Sequence, residues 1–440
     1  MDGEGGTVAL SGTTTTTTTK GKGPRSLHGL GVLCGLAAGA WLGAAEAPTK
    51  LVNAGLSPFA ISLCMVAGVF TARWTFPTLL KGTGFVLRDL MQKKHLIVWA
   101  VVAGALWAVA NTLTVFAIRD VGLAVAFPLW NTNALVGILW GRLLFRELEG
   151  ASASNIAKVV LGTLFIVASA VMLGFSTIHG DSGAGGSPRA VSGVLAAIGA
   201  SLMWGTMYVP YRKAYLSGMN PLSFVTVFTF GEIGTMLVLT LALDPGALGQ
   251  LATSKHLLFW LFLGGFVWVI GDIFQQFATK YLGIGRGIPL SNTNQLWGLA
   301  WGALVFGELA SADSKHKLLV LAGSVGMILG ALAISTAVAS AREQTCQNEA
   351  LERECARYGL DRQQVIAAQS GEEFDAPSEK RRWWDVAIVV CATGVFVWLG
   401  ANAEIPKLDM SFGWMAVLGL ALAVSFGVVG RRLWKQTGFT

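Results

Sequence analysis

Two short polar segments stand inside otherwise apolar stretches of the chain, Asn-Thr-Asn at 131–133 and Asn-Thr-Asn-Gln at 292–295. Each segment follows a proline, Pro128 or Pro289, which removes a backbone donor and disturbs a helix. Asn and Gln side chains both donate and accept hydrogen bonds, so together they suit a neutral solute that carries several hydroxyl groups. Alternatively, the same amides bond one helix to another, an interaction worth about 1 kcal/mol in a membrane. Both roles stay open at this point.

The chain contains 16 tryptophans but only 5 tyrosines, and several of the tryptophans fall well inside apolar stretches. These are Trp107, Trp130, Trp204, Trp268 and Trp297. A flat indole ring suits the apolar face of a sugar ring, and its N–H group needs a partner when it is buried. The alternative is that these rings simply fill space between glycine-rich helices.

Two acidic residues also lie inside apolar stretches, Glu232 and Asp272. Polar groups at membrane depth are costly unless they are paired, and by default they mark a pathway. A carboxyl group there can take up and release a proton, so Asp272 and Glu232 are candidates for coupling solute movement to protons. The alternatives are an ion pair with Arg73, or a carboxylic acid that stays neutral and donates a hydrogen bond.

Motifs for covalent chemistry are absent from the sequence, which has no nucleophile elbow, no P-loop and no pair of catalytic carboxylates. The 5 cysteines are dispersed, and neither a CxxC pair nor a His/Cys metal-ligand spacing occurs. We therefore expect no enzyme, no catalytic residues, no metal site and no cofactor. The net charge of +7 indicates basic loops of a membrane protein rather than a nucleic-acid partner.

The composition requires the chain to meet lipid, because 53% of its residues are hydrophobic and only 13% are charged, against about 25% charged in soluble proteins. Its 55 glycines would let transmembrane helices approach closely. Runs of about 20 apolar residues can cross the hydrocarbon layer. Such runs fall near 28–47, 58–80, 96–117, 122–144, 156–175, 192–211, 221–243, 257–279, 286–306, 317–340, 383–400 and 411–430. We therefore predict an all-α polytopic membrane protein.

The beginning of the chain has two interpretations. Residues 1–26 are rich in Gly and Thr, bury no apolar surface and are predicted to be disordered. The following apolar stretch, which ends in Ala45-Glu46-Ala47, resembles a signal peptide with its cleavage site. Because this stretch has a counterpart later in the chain, we favour a membrane span.

The first half of the chain recurs in the second. Residues 95–148 align with 256–309 without a gap, and Trp41 in the first span corresponds to Trp204 in the sixth. Asp272 stands where the first half has Asn111. An odd number of spans separates each residue from its copy, so the second half enters the membrane from the opposite side. We predict a ten-helix core of two inverted five-helix repeats, 27–176 and 190–340, that opens a central site to either side in turn.

Most Lys and Arg residues fall on one side if the N-terminus is placed inside, which predicts that both the N- and C-termini are cytoplasmic. Residues 341–382 are then a polar cytoplasmic insert, whose helical part we expect to be solvated. Residues 383–440 contain two extra C-terminal transmembrane helices, predicted to form a hairpin, and a short tail. The expected location is the cytoplasmic (inner) membrane.

These features resemble the drug/metabolite transporter superfamily, which includes the EamA-like transporters. The Pro-Leu-x-Asn-Thr-Asn segments of spans four and nine and the segments that follow Trp41 and Trp204 look most like its sugar branch, the glucose/ribose porters and rhamnose transporters. The resemblance covers about residues 27–340 and implies a secondary carrier, usually proton-coupled, with a central cavity. The residues that the resemblance places in that cavity are Trp41, Trp107, Asn111, Asn131, Asn133, Trp204, Tyr208, Asp272, Asn292, Asn294 and Gln295.

We therefore expect a secondary active transporter that moves a small neutral polar solute, a sugar in the first place, by alternating access with proton symport through Asp272 or Glu232. An exporter of amino acids, amines or other metabolites with the same architecture stays open, as does a non-transporting membrane sensor or scaffold. The expected partners are the solute, protons and the lipid bilayer, with no nucleic acid, and a homodimer is left open.

Overall fold

The described residues of this chain fold into helices. The computed structural model describes residues 24–45, 47, 56–121, 126, 129–175, 188–307, 309, 313–372, 381–404 and 410–440. Its helices are α1 (Pro24–Ala44), α2 (Pro58–Leu80), α3 (Thr83–Gln92), α4 (His95–Val121), α5 (Asn133–Phe145), α6 (Ala153–Phe175), α7 (Pro188–Leu216), α8 (Pro221–Leu243), α9 (Ala247–Thr253), α10 (Lys255–Leu282), α11 (Ile284–Ser291), α12 (Asn294–Ala300), α13 (Ser314–Ser335), α14 (Ala341–Tyr358), α15 (Arg362–Ser370), α16 (Trp383–Ala401) and α17 (Phe412–Thr437). The predicted disordered tail 1–26 lies mostly outside these residues.

Ten of the helices in the described part of the chain are long and apolar enough to cross a membrane. The two further predicted spans, 122–144 and 286–306, are interrupted in the structure at the polar segments that follow Pro128 and Pro289, and part of the first lies outside the described residues. A turn at residues 131–132 precedes α5, and a turn at 292–293 separates α11 from α12, which continues as a π-helical turn, Trp301–Val305. The Thr side chain in each turn bonds back to a carbonyl, Thr132 Oγ1 to Leu129 O at 2.6 Å and Thr293 Oγ1 to Leu290 O at 2.8 Å. Such bonds compete with the helical ladder.

The core helices pack in equivalent pairs. Helix α4 lies against α7 and α8, as α10 lies against α1 and α2, while α6 packs on α13. Glycines set the two closest crossings, since a Cβ added at Gly104 would lie 2.0 Å from Phe228 O, and one added at Gly265 would lie 2.0 Å from Met65 O. On the facing helices, a Cβ added at Gly231 or at Gly68 would likewise meet a backbone oxygen, that of Val101 or Phe262. Backbone therefore touches backbone where α4 crosses α8 and where α2 crosses α10.

The two C-terminal helices pack on different helices of the core. Helix α16 lies against α2 and α10, whereas α17 lies against α1 and the π-helical turn. The N–H of Ser411, just before α17, donates to Val305 O at 2.8 Å. The two helices of the predicted hairpin, α16 and α17, therefore pack on separate parts of the bundle rather than mainly on each other.

Helices α14 and α15 cover one end of the bundle, which we call the insert side. The ring of His95, the first residue of α4, stacks on Tyr358 of α14 with centroids 3.7 Å apart. At the same end Lys213, near the end of α7, pairs with Glu354 of α14 at 2.9 Å, and the preceding Arg212 donates to Lys280 O of α10 at 3.3 Å. Helix α4 therefore begins where α10 ends, and these two helices run in opposite directions.

The insert is not a freely solvated helix, contrary to the sequence-based expectation. Four residues of α14 are buried, Glu343, Cys346, Leu351 and Cys355. Ser340 caps the helix by accepting the Glu343 N–H at 3.0 Å. A charged helix buries a carboxylate only where that carboxylate has a partner, and the partner of Glu343 is described below.

Candidate functional site

The two helix breaks meet inside the bundle. The Asn292 amide nitrogen donates to the Asn131 carbonyl at 3.0 Å and to the Asn133 side-chain oxygen at 3.1 Å. All three residues are buried. Asn292 and Asn133 therefore do bond one helix to another. This bond holds residues of the two halves of the chain side by side.

Most residues of the predicted cavity nevertheless keep hydrogen-bonding capacity unused. Within the described residues, buried polar atoms without a hydrogen-bond partner include Trp41 Nε1, Trp107 Nε1, Asn111 Nδ2, Asn131 Nδ2, Trp204 Nε1, Asn294 Oδ1 and Gln295 Nε2. A buried polar group left unpaired costs about 1–3 kcal/mol, and native proteins leave few of them without a partner or an ordered water. Seven of the eleven predicted residues carry such an atom, which leaves these atoms available to a polar ligand.

The aromatic residues border this region in pairs. Trp107 packs edge-on against Trp268 at a centroid distance of 5.1 Å, and Trp204 packs edge-on against Trp130 at 6.1 Å. Trp41 differs, because its ring meets Phe426 of α17 at 6.0 Å. One of the predicted tryptophans is therefore also a contact with the C-terminal helix, which the sequence did not indicate.

Tyr208 is linked to the second break through a glutamine. It is buried, and its hydroxyl lies beside Gln275. The Gln275 amide nitrogen donates to Ser291 Oγ at 2.6 Å, immediately before Asn292. Sequence reasoning missed Tyr211 and Tyr215, which continue from Tyr208 along the same face of α7. Their i, i+3 and i+7 spacing is the signal that would have found them.

Glu232 and Asp272 share one cation at the centre of the bundle. Arg73 Nη2 lies 2.7 Å from Asp272 Oδ2, and Arg73 Nη1 lies 3.1 Å from Glu232 Oε1. All three side chains have 0% exposure. The guanidinium also lies over the rings of Phe228 and Trp268, at 4.1 Å and 5.5 Å from the centroids. The structure thus favours the ion-pair alternative for both acids and places it beside Trp107, the neighbour of Trp268.

The two carboxylates are held unequally. Asp272 accepts hydrogen bonds from Arg73 and from the Gln276 amide at 2.7 Å, and Gln276 in turn accepts the Tyr215 hydroxyl proton. Neither oxygen of Glu232 has a well-aligned hydrogen bond among the described residues, although Oε1 lies within ion-pair distance of Arg73. Glu232 is therefore the less tightly held acid of the two.

Glu147 connects the two halves at the insert side. The sequence suggests a capping or interfacial role for Glu147 and its counterpart Glu308, and the latter lies outside the described residues. Glu147 is 1% exposed and accepts the N–H groups of Ile284 and Gly285 at 2.9 Å and 2.8 Å, at the start of α11. A carboxylate stabilises the positive end of a helix. Glu147 thus caps a helix of the other half, and Arg212 Nε lies 3.4 Å from it.

Comparison with known families identifies both halves. The EamA-like transporter family matches residues 191–336, and a family described as sugar transport protein matches residues 57–176. These matches confirm the resemblance drawn from the repeated motifs. Both are families of transporters rather than enzymes.

Individual relatives agree with this assignment. A Listeria innocua protein named for sugar uptake is 23% identical over 239 residues, which is 54% of this chain and 77% of the relative. The glucose uptake protein GlcU of Staphylococcus xylosus is 21% identical over 238 residues, again 54% and 77%. A Listeria monocytogenes protein, also named for sugar uptake, is 24% identical and covers 58% of this chain and 84% of its own length. The chain therefore resembles a sugar transport family in its first half and the EamA-like transporters in its second, and it has the long apolar helices of a multi-pass membrane protein.

Proposed function

We propose that this transporter moves a small neutral polar solute, a sugar in the first place, across the cytoplasmic membrane by alternating access with proton symport. The observation that carries the proposal is the set of buried, unpaired polar atoms on Trp107, Asn111, Asn131, Trp204 and Gln295. A solute with several hydroxyl groups would satisfy such amides and indole N–H groups. The sugar uptake relatives support the same class of solute.

The proposal requires two inverted repeats. It is supported by the opposite directions of α4 and α10 and by the reciprocal glycine crossings at Gly104 and Gly231 and at Gly68 and Gly265. Broken helices at a repeat interface are a recurring way to build a site at the middle of a membrane. The bond between Asn292 and Asn133 joins the two breaks at such an interface.

Proton symport is proposed from charge counting in the buried cluster. Arg73 contributes +1, while Glu232 and Asp272 contribute −1 each, so the fully ionised cluster carries −1. One proton makes it neutral. A net charge buried in a low-dielectric environment is costly. The conformational change between the two open states is therefore easier when the cluster is protonated and neutral. Glu232, the less tightly held acid, is our choice for the proton carrier.

Uptake by the purified protein in lipid vesicles tests the proposal. Labelled sugars, amino acids and amines are offered with and without an inward proton gradient of one pH unit. We expect saturable uptake of at least one sugar, stimulated by the gradient. We expect Asn111→Ala to reduce it, and Asn155→Ala, which changes a half-buried amide of α6 that donates to Val338 O, to leave it intact.

The same measurement can reject the proposal. Uptake of amino acids or amines but of no sugar would assign the protein to the exporter class. Absence of transport for every solute, in protein that is folded and inserted, would instead favour a sensor or scaffold.

A further inference from the structure

The insert is tied to the helix that leads into the second break. Glu343 has 0% side-chain exposure and accepts two hydrogen bonds from Arg286, Nη1 to Oε1 and Nη2 to Oε2, each at 2.8 Å. Arg286 is 2% exposed and lies on α11, which ends at Ser291 beside the 292–293 turn. Truncating one partner of a buried ion pair leaves an uncompensated charge, so a change at Glu343 is expected to disturb this attachment.

Further contacts hold the insert to both halves of the core. Glu354 pairs with Lys213 at 2.9 Å and accepts the Ser217 hydroxyl at 3.3 Å, at the end of α7. Gln369 of α15 donates to Leu216 O at 2.8 Å. On the first half, the ring of His95 stacks on Tyr358 of α14. Residues 341–371 therefore bridge the ends of α4, α7 and α11.

Beneath the insert, the two halves are also joined directly. Glu147, on the first half, holds the N–H groups of Ile284 and Gly285 on the second. Opening a passage on this side separates these groups. Because Arg286 follows Gly285 directly, α11 cannot move away from Glu147 without either breaking the pair with Glu343 or carrying the insert with it.

We infer that residues 341–371 form a strap that holds the insert side of the transporter closed, so that release of Arg286 from Glu343 limits opening of the solute site to this side. The inference rests on the proposed alternating-access function. It assigns a regulatory role to a segment that the sequence presents only as a polar insert. Any signal that removes the Glu343 charge or pulls α14 away would favour the open state.

Hydrogen exchange on the full-length protein in lipid nanodiscs tests the strap without any solute. Glu343→Gln keeps the shape of the side chain but removes its charge. We expect the backbone amides of Ile284 and Gly285 to exchange on the order of tenfold faster or more in this variant, because they exchange when the side opens. Glu349→Gln, on the exposed face of the same helix, is the matched control and should exchange like the wild type.

A milder variant guards against misfolding of Glu343→Gln. Glu354 is 18% exposed in its pair with Lys213, and Glu354→Gln should accelerate the same amides by a smaller factor, about two- to fivefold. Unchanged exchange at these amides in folded Glu343→Gln, or, if that variant does not fold, in Glu354→Gln, overturns the strap. This result is independent of the test of the proposed function. Faster exchange supports the strap even if no sugar is transported. Sugar transport with unchanged exchange refutes only the strap.

Discussion

Glu232 provides the sharpest test of the proposed proton symport. Glu232→Gln preserves the size of the side chain and an oxygen that faces Arg73. It removes the carboxylate at position 232, so no proton can bind or leave there. With Asp272 still ionised and Arg73 charged, the net charge becomes zero in every step. We expect this variant to bind and exchange the solute but to be indifferent to protons.

The size of the effect follows from the geometry and from the gradient. Glu232 Oε1 lies 3.1 Å from Arg73 Nη1, which at an effective dielectric constant of about 20 corresponds to an attraction of about 5 kcal/mol. This attraction favours the ionised form of Glu232 and is lost when a proton binds there, so protonation of Glu232 and its pair with Arg73 are linked. One proton moved per solute across one pH unit supplies about 1.4 kcal/mol, so the wild type should accumulate the solute up to about tenfold. The variant should only equilibrate it, with a ratio of about one.

The assay measures the steady-state ratio of solute inside to solute outside in vesicles that contain purified protein, together with exchange of labelled for unlabelled solute at equal pH. Glu404→Gln, an exposed carboxyl between α16 and α17, is the control and should accumulate like the wild type. If Glu232→Gln still concentrates the solute about tenfold, Glu232 is not the proton carrier and the argument from its weak hydrogen bonding is refuted. Loss of exchange as well would show that the residue is needed for binding rather than for coupling.

Three further outcomes follow from the packing and the site. Gly104→Ala should destabilise the protein by about 1–3 kcal/mol, because its Cβ would meet Phe228 O at 2.0 Å. The control is Gly234→Ala, whose Cβ would have nothing within 4 Å, and it should be neutral or stabilising by up to about 1 kcal/mol. Trp107→Phe removes the unpaired N–H together with part of the buried ring, and it should weaken solute binding by about 1 kcal/mol, roughly fivefold, with some loss of thermal stability from the cavity. Glu147→Gln should cost about 1–2 kcal/mol of stability through loss of the charge at the start of α11.

Thermal unfolding in detergent and solute-binding titrations check these outcomes. Equal melting temperatures for the two glycine variants would contradict the close crossing. Unchanged affinity in Trp107→Phe would show that its indole N–H does not bond to the solute. Glu147→Gln as stable as the wild type would show that the carboxylate charge contributes nothing to capping.

Apolar length alone identifies most of the spans, whereas the exact place where a helix stops within such a run depends on local bonding. Apolar runs 122–144 and 286–306 are long enough to span, yet each is interrupted at an Asn-Thr pair. Pro289 and the Thr back-bonds at Thr132 and Thr293 explain the breaks. The prolines before the two Asn-Thr-Asn segments indicate a disturbed helix, but the Thr back-bonds that accompany each break are seen only in the structure.

The site was predictable in its parts but not in its connections. The sequence identifies Asp272, Glu232 and Arg73 as rare charges at membrane depth, but it cannot say which carboxylate pairs with the arginine. The structure shows that both do. Likewise the Ser340-x-x-Glu343 pattern is typical of a helix start, yet burial of Glu343 against Arg286 depends on a contact across 57 positions of the chain.

The glycine crossings have a mechanical consequence. At Gly104 and Gly265 no side chain stands between the two helices, so one helix can roll on its neighbour without any rotamer having to change. Interlocked side chains would instead resist such rolling, because packed interiors deform in steps. The two crossings therefore act as pivots for helix rotation. A thicker bilayer changes helix tilt, and we expect it to alter the turnover rate mainly by changing the contact at these two points.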